Sequence, residues 1–274
     1  MRAILTVLLV LTPTLMVPGT TPDTAQVAAF LAVLAGGAVM LEYASSYPSL
    51  VEFRDAPPFN RIRFLSLFAT VFLLSLIVRG GQDASDLTRL VQLVGARIGG
   101  AMDFPYSPVH LMVLMLPADA PAGQVEILRT AAGMAYLISL SALALFMLLL
   151  RLRNWPLCNG RGSAFNVWVN LPMFDPAKGG DVVYRLERDA VINIALGFVL
   201  PFVIPAIITA AGSLFGSVSL NNVHTMIWTV AAWAFLPASL FMRGIAMGRV
   251  ASMIKAARAR RLEDDGSGAG LQPV

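Results

Sequence analysis

The sequence predicts an all-α fold, a polytopic bundle of transmembrane helices with about six spans, or five if the N-terminal segment is cleaved. Three observations carry this. The chain of 274 residues is 57% hydrophobic and only 13% charged, where soluble domains carry about a quarter charged residues. Its apolar residues are gathered into runs at about 3–17, 26–41, 64–78, 130–150, 190–214 and 223–242. Its arginines alternate in density from one inter-run segment to the next. One transmembrane domain is expected over 1–262, followed by a disordered tail at 263–274 rich in Gly, Asp and Ser.

The first run sits behind Arg2 and contains Pro13. Its length suits a signal-peptide core as well as a short anchor, but "VPGTTPDT" offers no obvious small-x-small cleavage site, which favours a retained helix. The runs at 26–41 and 64–78 fall short of the roughly 17–25 residues of a full span. They need turns from their polar flanks.

Orientation follows from basic residues. Arg54, Arg61 and Arg63 lie in one loop, Arg151, Arg153, Arg161, Lys178, Arg185 and Arg188 in a later one, and Arg243, Arg249, Lys255, Arg258, Arg260 and Arg261 after the last run. The alternate segments hold Arg79, Arg89, Arg97 and Arg129 diluted by carboxylates. By the positive-inside rule both termini are expected in the cytoplasm. The arginine-rich composition, with only two lysines, points to a GC-rich bacterial genome and so to a bacterial inner membrane. The net charge of +4 tracks the spans rather than one soluble patch, so no nucleic-acid partner is expected.

Between the third and fourth runs, Leu87, Leu90, Val91, Val94 and Ile98 recur at helical spacing opposite Asp86, Arg89 and Gln92, as in an amphipathic helix on a membrane surface. The stretch at 105–117 is too short to span. In the later basic loop, Asp181 follows Gly179-Gly180 and is placed to cap a helix.

Motifs for chemistry are missing. There is no Walker P-loop, HExxH or CxxC, and Cys158 is the only cysteine. "NGRGSAF" lacks the strand–turn–helix setting of a hydrolase elbow. No cofactor is expected. His110 and His224 are weak metal candidates, since a site would need further ligands. In the fifth run, Gly197, Pro201 and Pro205 share one face and form a candidate hinge, because each proline removes a backbone donor.

The densest features are two loops predicted to be cytoplasmic. The first carries Glu42, Glu52, Arg54, Arg61 and Arg63 among Tyr, Phe and Pro; the second carries Trp168, Asn170, Asp175, Asp181 and Arg185. Mobile linkers are Gly, Ser and charge instead. The two loops are therefore expected to pack into one cap. Arg54, Arg61 and Arg63 are expected to meet Asp175, Asp181 or Glu187, and Glu42 and Glu52 to meet Arg185 or Arg188. The function expected is a non-enzymatic accessory, scaffold or assembly subunit, with membrane lipid and a protein as partners. The alternatives are a small permease or lipid-handling protein using the fifth run, and a membrane enzyme acting on lipid.

Overall fold

The computed structural model describes residues 1–46, 48–81, 83–117, 119–153, 155, 170–175, 179–215, 220 and 222–268. Its elements, in order, are α1 (Arg2–Met16), α2 (Pro22–Ala44), α3 (Phe59–Arg79), α4 (Asp86–Met102), α5 (Pro108–Val113), α6 (Ala122–Arg153), α7 (Val182–Phe215) and α8 (Val223–Gly268). No strand occurs among the described residues. Five helices, α2, α3, α6, α7 and α8, are long and apolar enough to cross a membrane, and α1 is a shorter apolar helix of 15 residues. The protein is a helical membrane bundle.

The starts of the helices are set locally. Thr21 accepts from the Thr24 N–H ahead of α2, with Pro22 in the first turn. Ser85 and Thr88 form a reciprocal capping box on α4. Ser107 accepts from the His110 N–H and Pro108 opens α5. Asp181 precedes α7 and accepts from the Val183 N–H at 3.4 Å. The last helix runs to Gly268. Its Ala-Arg-Ala-Arg-Arg-Leu-Glu run up to Glu263 consists of strong helix formers.

α1 and α2 form an antiparallel hairpin. Arg2 stacks on the Tyr43 ring at 4.0 Å, and a Cβ on Gly36 would come within 2.6 Å of Val7 Cγ2. α3, α6 and α8 pack together at the centre, and α7 packs along α8. Two apolar cores result. One gathers Val71, Leu74, Met112, Leu128, Ile227 and Trp233. The other, at the arginine-rich end, gathers Phe53, Phe59, Phe146, Trp155, Leu186 and Met242.

Two helix contacts close to backbone distance. A Cβ on Gly133 of α6 would lie 2.5 Å from the Gly99 Cα of α4, and one on Gly99 would lie 2.7 Å from the Arg129 carbonyl oxygen. A Cβ on Gly244 of α8 would lie 2.7 Å from the Ala190 carbonyl oxygen of α7. Glycine is needed at these positions because only a missing side chain lets helices approach so closely. α4 therefore packs through Thr88, Gly95 and Gly99, while Leu87, Leu90, Leu93 and Val94 are exposed.

Candidate functional site

The arginine-rich end is closed by a folded cap built from both polar loops. Phe53 and Phe59 lie with ring centroids 4.6 Å apart, and each meets Trp155, at 5.5 and 6.2 Å. Phe146 of α6 completes the cluster at 5.5 Å from Phe59 and 5.6 Å from Trp155. The Trp155 indole N–H donates to the Ala56 carbonyl, and Arg249 of α8 donates to the Trp155 carbonyl. Phe53 takes a left-handed backbone conformation, φ 51°, which a bulky residue adopts only when its surroundings hold it there. Asn170 supplies that hold. Its carbonyl accepts from Phe53 N at 2.6 Å and its side-chain oxygen from Asp55 N at 3.1 Å.

The charges within the cap are distributed differently from the expected pairing. Glu42 is buried at the end of α2. One of its oxygens accepts three backbone N–H groups, from Ser49, Leu50 and Val51, at 2.6–2.8 Å, and the other accepts the Ser49 hydroxyl. Glu42 thus serves as a loop organiser and, among the described residues, does not meet Arg185 or Arg188. Glu52, also buried, receives a two-pronged bond from Arg243 of α8, at 2.6 and 2.8 Å. The third arm of Arg243 reaches the Asn193 side chain at 2.9 Å, and Asn193 donates back to the Asp189 carbonyl. This network ties the first loop to α7 and α8 together.

The remaining predicted residues fall around it. Arg54 donates to the Glu42 and Ser45 carbonyls. Arg61 is exposed. Arg63 lies over the Phe59 ring, its Cζ 5.2 Å from the centroid, and has no ion pair to Asp175, Asp181 or Glu187 among the described residues. Asp181 pairs with Arg258 at 2.7 Å, and Glu187 with Lys255 at 2.5 Å. The hydrogen bond from Arg258, with the Val183 and Tyr184 N–H groups, holds the Asp181 carboxyl below its usual range against a smaller opposing effect of burial. Arg185 donates to the Asp175 carbonyl and stacks on Phe174 at 4.7 Å. Trp168 lies outside the described residues.

Sequence reading missed Arg243 as the central cation. It is the first basic residue after the last apolar run, which is where a topology-setting arginine also stands, and nothing local distinguishes the two. Asn193 and Trp155 were likewise visible as residues, but not as partners.

The proline segment is clasped by α8. Pro205 has no N–H, so it leaves the Pro201 carbonyl without its helical donor. The Trp233 indole N–H fills that vacancy at 2.9 Å. One turn away, a Cβ on Gly197 would lie 2.8 Å from the Pro237 carbonyl oxygen. Trp233 is itself buried and stacked on Tyr136, centroids 5.6 Å apart. Trp233→Phe is expected to destabilise the protein by about 1–3 kcal/mol, the cost of a buried carbonyl left unpaired. Thermal unfolding in detergent should show most of that loss disappearing in a Pro205→Ala background, where the new Ala N–H serves Pro201.

At the opposite end, His110 and His224 have different partners. His224 Nε2 lies 3.2 Å from the Thr20 hydroxyl. His110 Nδ1 lies 2.6 Å from one oxygen of Asp103, whose other oxygen accepts from Arg129 Nε at 2.6 Å. Burial pushes the Asp103 carboxyl up, but the bonds from His110 and Arg129 and the charge of Arg129 outweigh it and hold it below the usual carboxylate range. The clamp joins the end of α4 to α5 and α6. No group of three or more metal-ligating side chains occurs among the described residues.

Comparison of the chain with protein-family models, curated proteins and solved structures returned no match.

Proposed function

We propose that this multi-pass membrane protein is a non-enzymatic scaffold or assembly subunit of a bacterial inner membrane, whose cap faces the cytoplasm and docks a protein partner. The observation that carries this reading is Leu50. It is 73% exposed, yet its backbone is pinned by the Glu42 carboxylate at 2.6 Å. Met173, equally exposed, sits between the cap contacts of Leu171 and Phe174. Large apolar side chains held rigidly on a polar cap suit a protein interface, because little ordering remains to be done on binding. The cap carboxylates Glu42 and Glu52 are meanwhile committed to structural partners, which disfavours acid–base work by them.

Photo-crosslinkers placed at Leu50, Met173 and, as a control, the exposed Leu34 of α2 test this in intact cells. The expected result is one common protein adduct at both cap positions and none at Leu34. Co-purification of that protein should fall at least tenfold in Leu50→Glu. Absence of a cap adduct, together with solute flux or lipid turnover by the purified protein in liposomes, would favour a permease or a lipid enzyme instead.

A further inference from the structure

We propose that the arginine-rich end of the bundle binds a phosphate group at Arg63, where α3 meets α8. Arg63 lies one turn inside the start of α3. Its Nε is the only buried side-chain polar atom among the described residues without a hydrogen-bond partner. Its guanidinium carbon stands 5.2 Å from the Phe59 centroid and 5.9 Å from that of Phe235, between the rings of α3 and α8. Aromatic faces attract a cation but accept no full hydrogen bond, so the donors of the fork remain unspent.

The neighbouring carboxylates cannot supply the missing anion. Glu52 lies within electrostatic reach of Arg63, but both its oxygens are held by Arg243. Asp189 pairs with Arg188 at 3.1 Å. Arg63 and Arg243 thus share the one buried carboxylate of Glu52, Arg243 takes both its oxygens, and the charge of Arg63 is left over. A guanidinium whose Nε is buried without an acceptor calls for an anion.

The chemistry of that anion follows from shape and depth. A guanidinium is planar and matches the paired oxygens of a phosphate. α3 has 21 residues, about 31 Å at the helical rise of ~1.5 Å per residue, close to the ~30 Å of a hydrocarbon core. The Arg63 backbone lies four residues, about 6 Å, inside that length, and a long arginine side chain near a helix end reaches back to the boundary where lipid phosphates begin. The group is a phosphodiester of a lipid headgroup or a free phosphate, and both satisfy the same fork.

Native mass spectrometry of the full chain in neutral detergent, titrated with phosphatidylglycerol, tests the site. Thermal unfolding with added inorganic phosphate forms the second arm. The expected result is a lipid adduct whose apparent affinity drops at least tenfold in Arg63→Gln and stays unchanged in Arg89→Gln, the exposed arginine of α4. If inorganic phosphate alone raises the melting temperature of the wild type but not of Arg63→Gln, the source is a free anion. Should Arg63→Gln fail to fold, Arg63→Lys keeps the charge without the fork and should bind about threefold more weakly. Binding of both probes that is unchanged in the folded Arg63 variant, or an equal loss in Arg89→Gln, overturns the proposal.

Discussion

Arg243→Met should cost about 3–5 kcal/mol of stability, because it strands Glu52 as a buried, unpaired carboxylate. Glu52 is only 7% exposed in its side chain and takes both its hydrogen bonds to Arg243 on that single fork. The Asn193 side-chain oxygen loses its donor at the same time. Unfolding by sodium dodecyl sulfate in mixed micelles reads the loss. The double variant Arg243→Met, Glu52→Gln should recover most of it, since removing both charges removes the desolvation penalty along with the attraction. If the single variant unfolds like the wild type, the pair is solvated and the cap is not anchored through it.

A second large effect is expected one residue away. Gly244→Leu places a Cβ at 2.7 Å from the Ala190 carbonyl oxygen and 3.0 Å from Ile194 N, both backbone atoms of α7. Backbone in a helix cannot swing aside as a side chain can, so α7 and α8 must separate. Overpacking of this kind costs about 3 kcal/mol or more when no rotamer relieves it. Gly37→Leu on α2 is the matched control, because nothing lies within 4 Å of its Cβ position. Size-exclusion chromatography and thermal unfolding should show the Gly244 variant aggregated or strongly destabilised, and the Gly37 variant close to wild type.

The bundle was legible from the sequence because a span needs only length and apolarity, and both are properties of a contiguous run. Asp181 at the start of α7 was legible for the same reason, as a cap and its helix are neighbours in sequence. The partners of the cap charges were not. Glu52 finds Arg243 across 191 residues, and any of the basic residues near that end had an equal claim on composition alone. Arg185, expected to meet Glu42 or Glu52, turns to the Asp175 carbonyl instead. For α4 the residue spacing drew the eye to its leucines, while the close contact with α6 runs through Gly95 and Gly99. Glycine carries no hydrophobic signal, so a backbone-to-backbone seam is silent in a hydropathy pattern.

The two buried glutamates differ in when they can be satisfied. Glu42 finds its amide donors seven to nine residues downstream, so its turn can form as soon as that stretch leaves the ribosome. Glu52 must wait for a residue made 191 positions later. At about 5–20 residues per second, that is roughly 10–40 s of synthesis. Throughout that interval the first loop is shaped but not seated, and its carboxylate stays at the water's edge. α8 is therefore the helix that locks the first loop in place, and a nascent chain halted before Arg243 carries an open cap however completely its earlier helices have inserted.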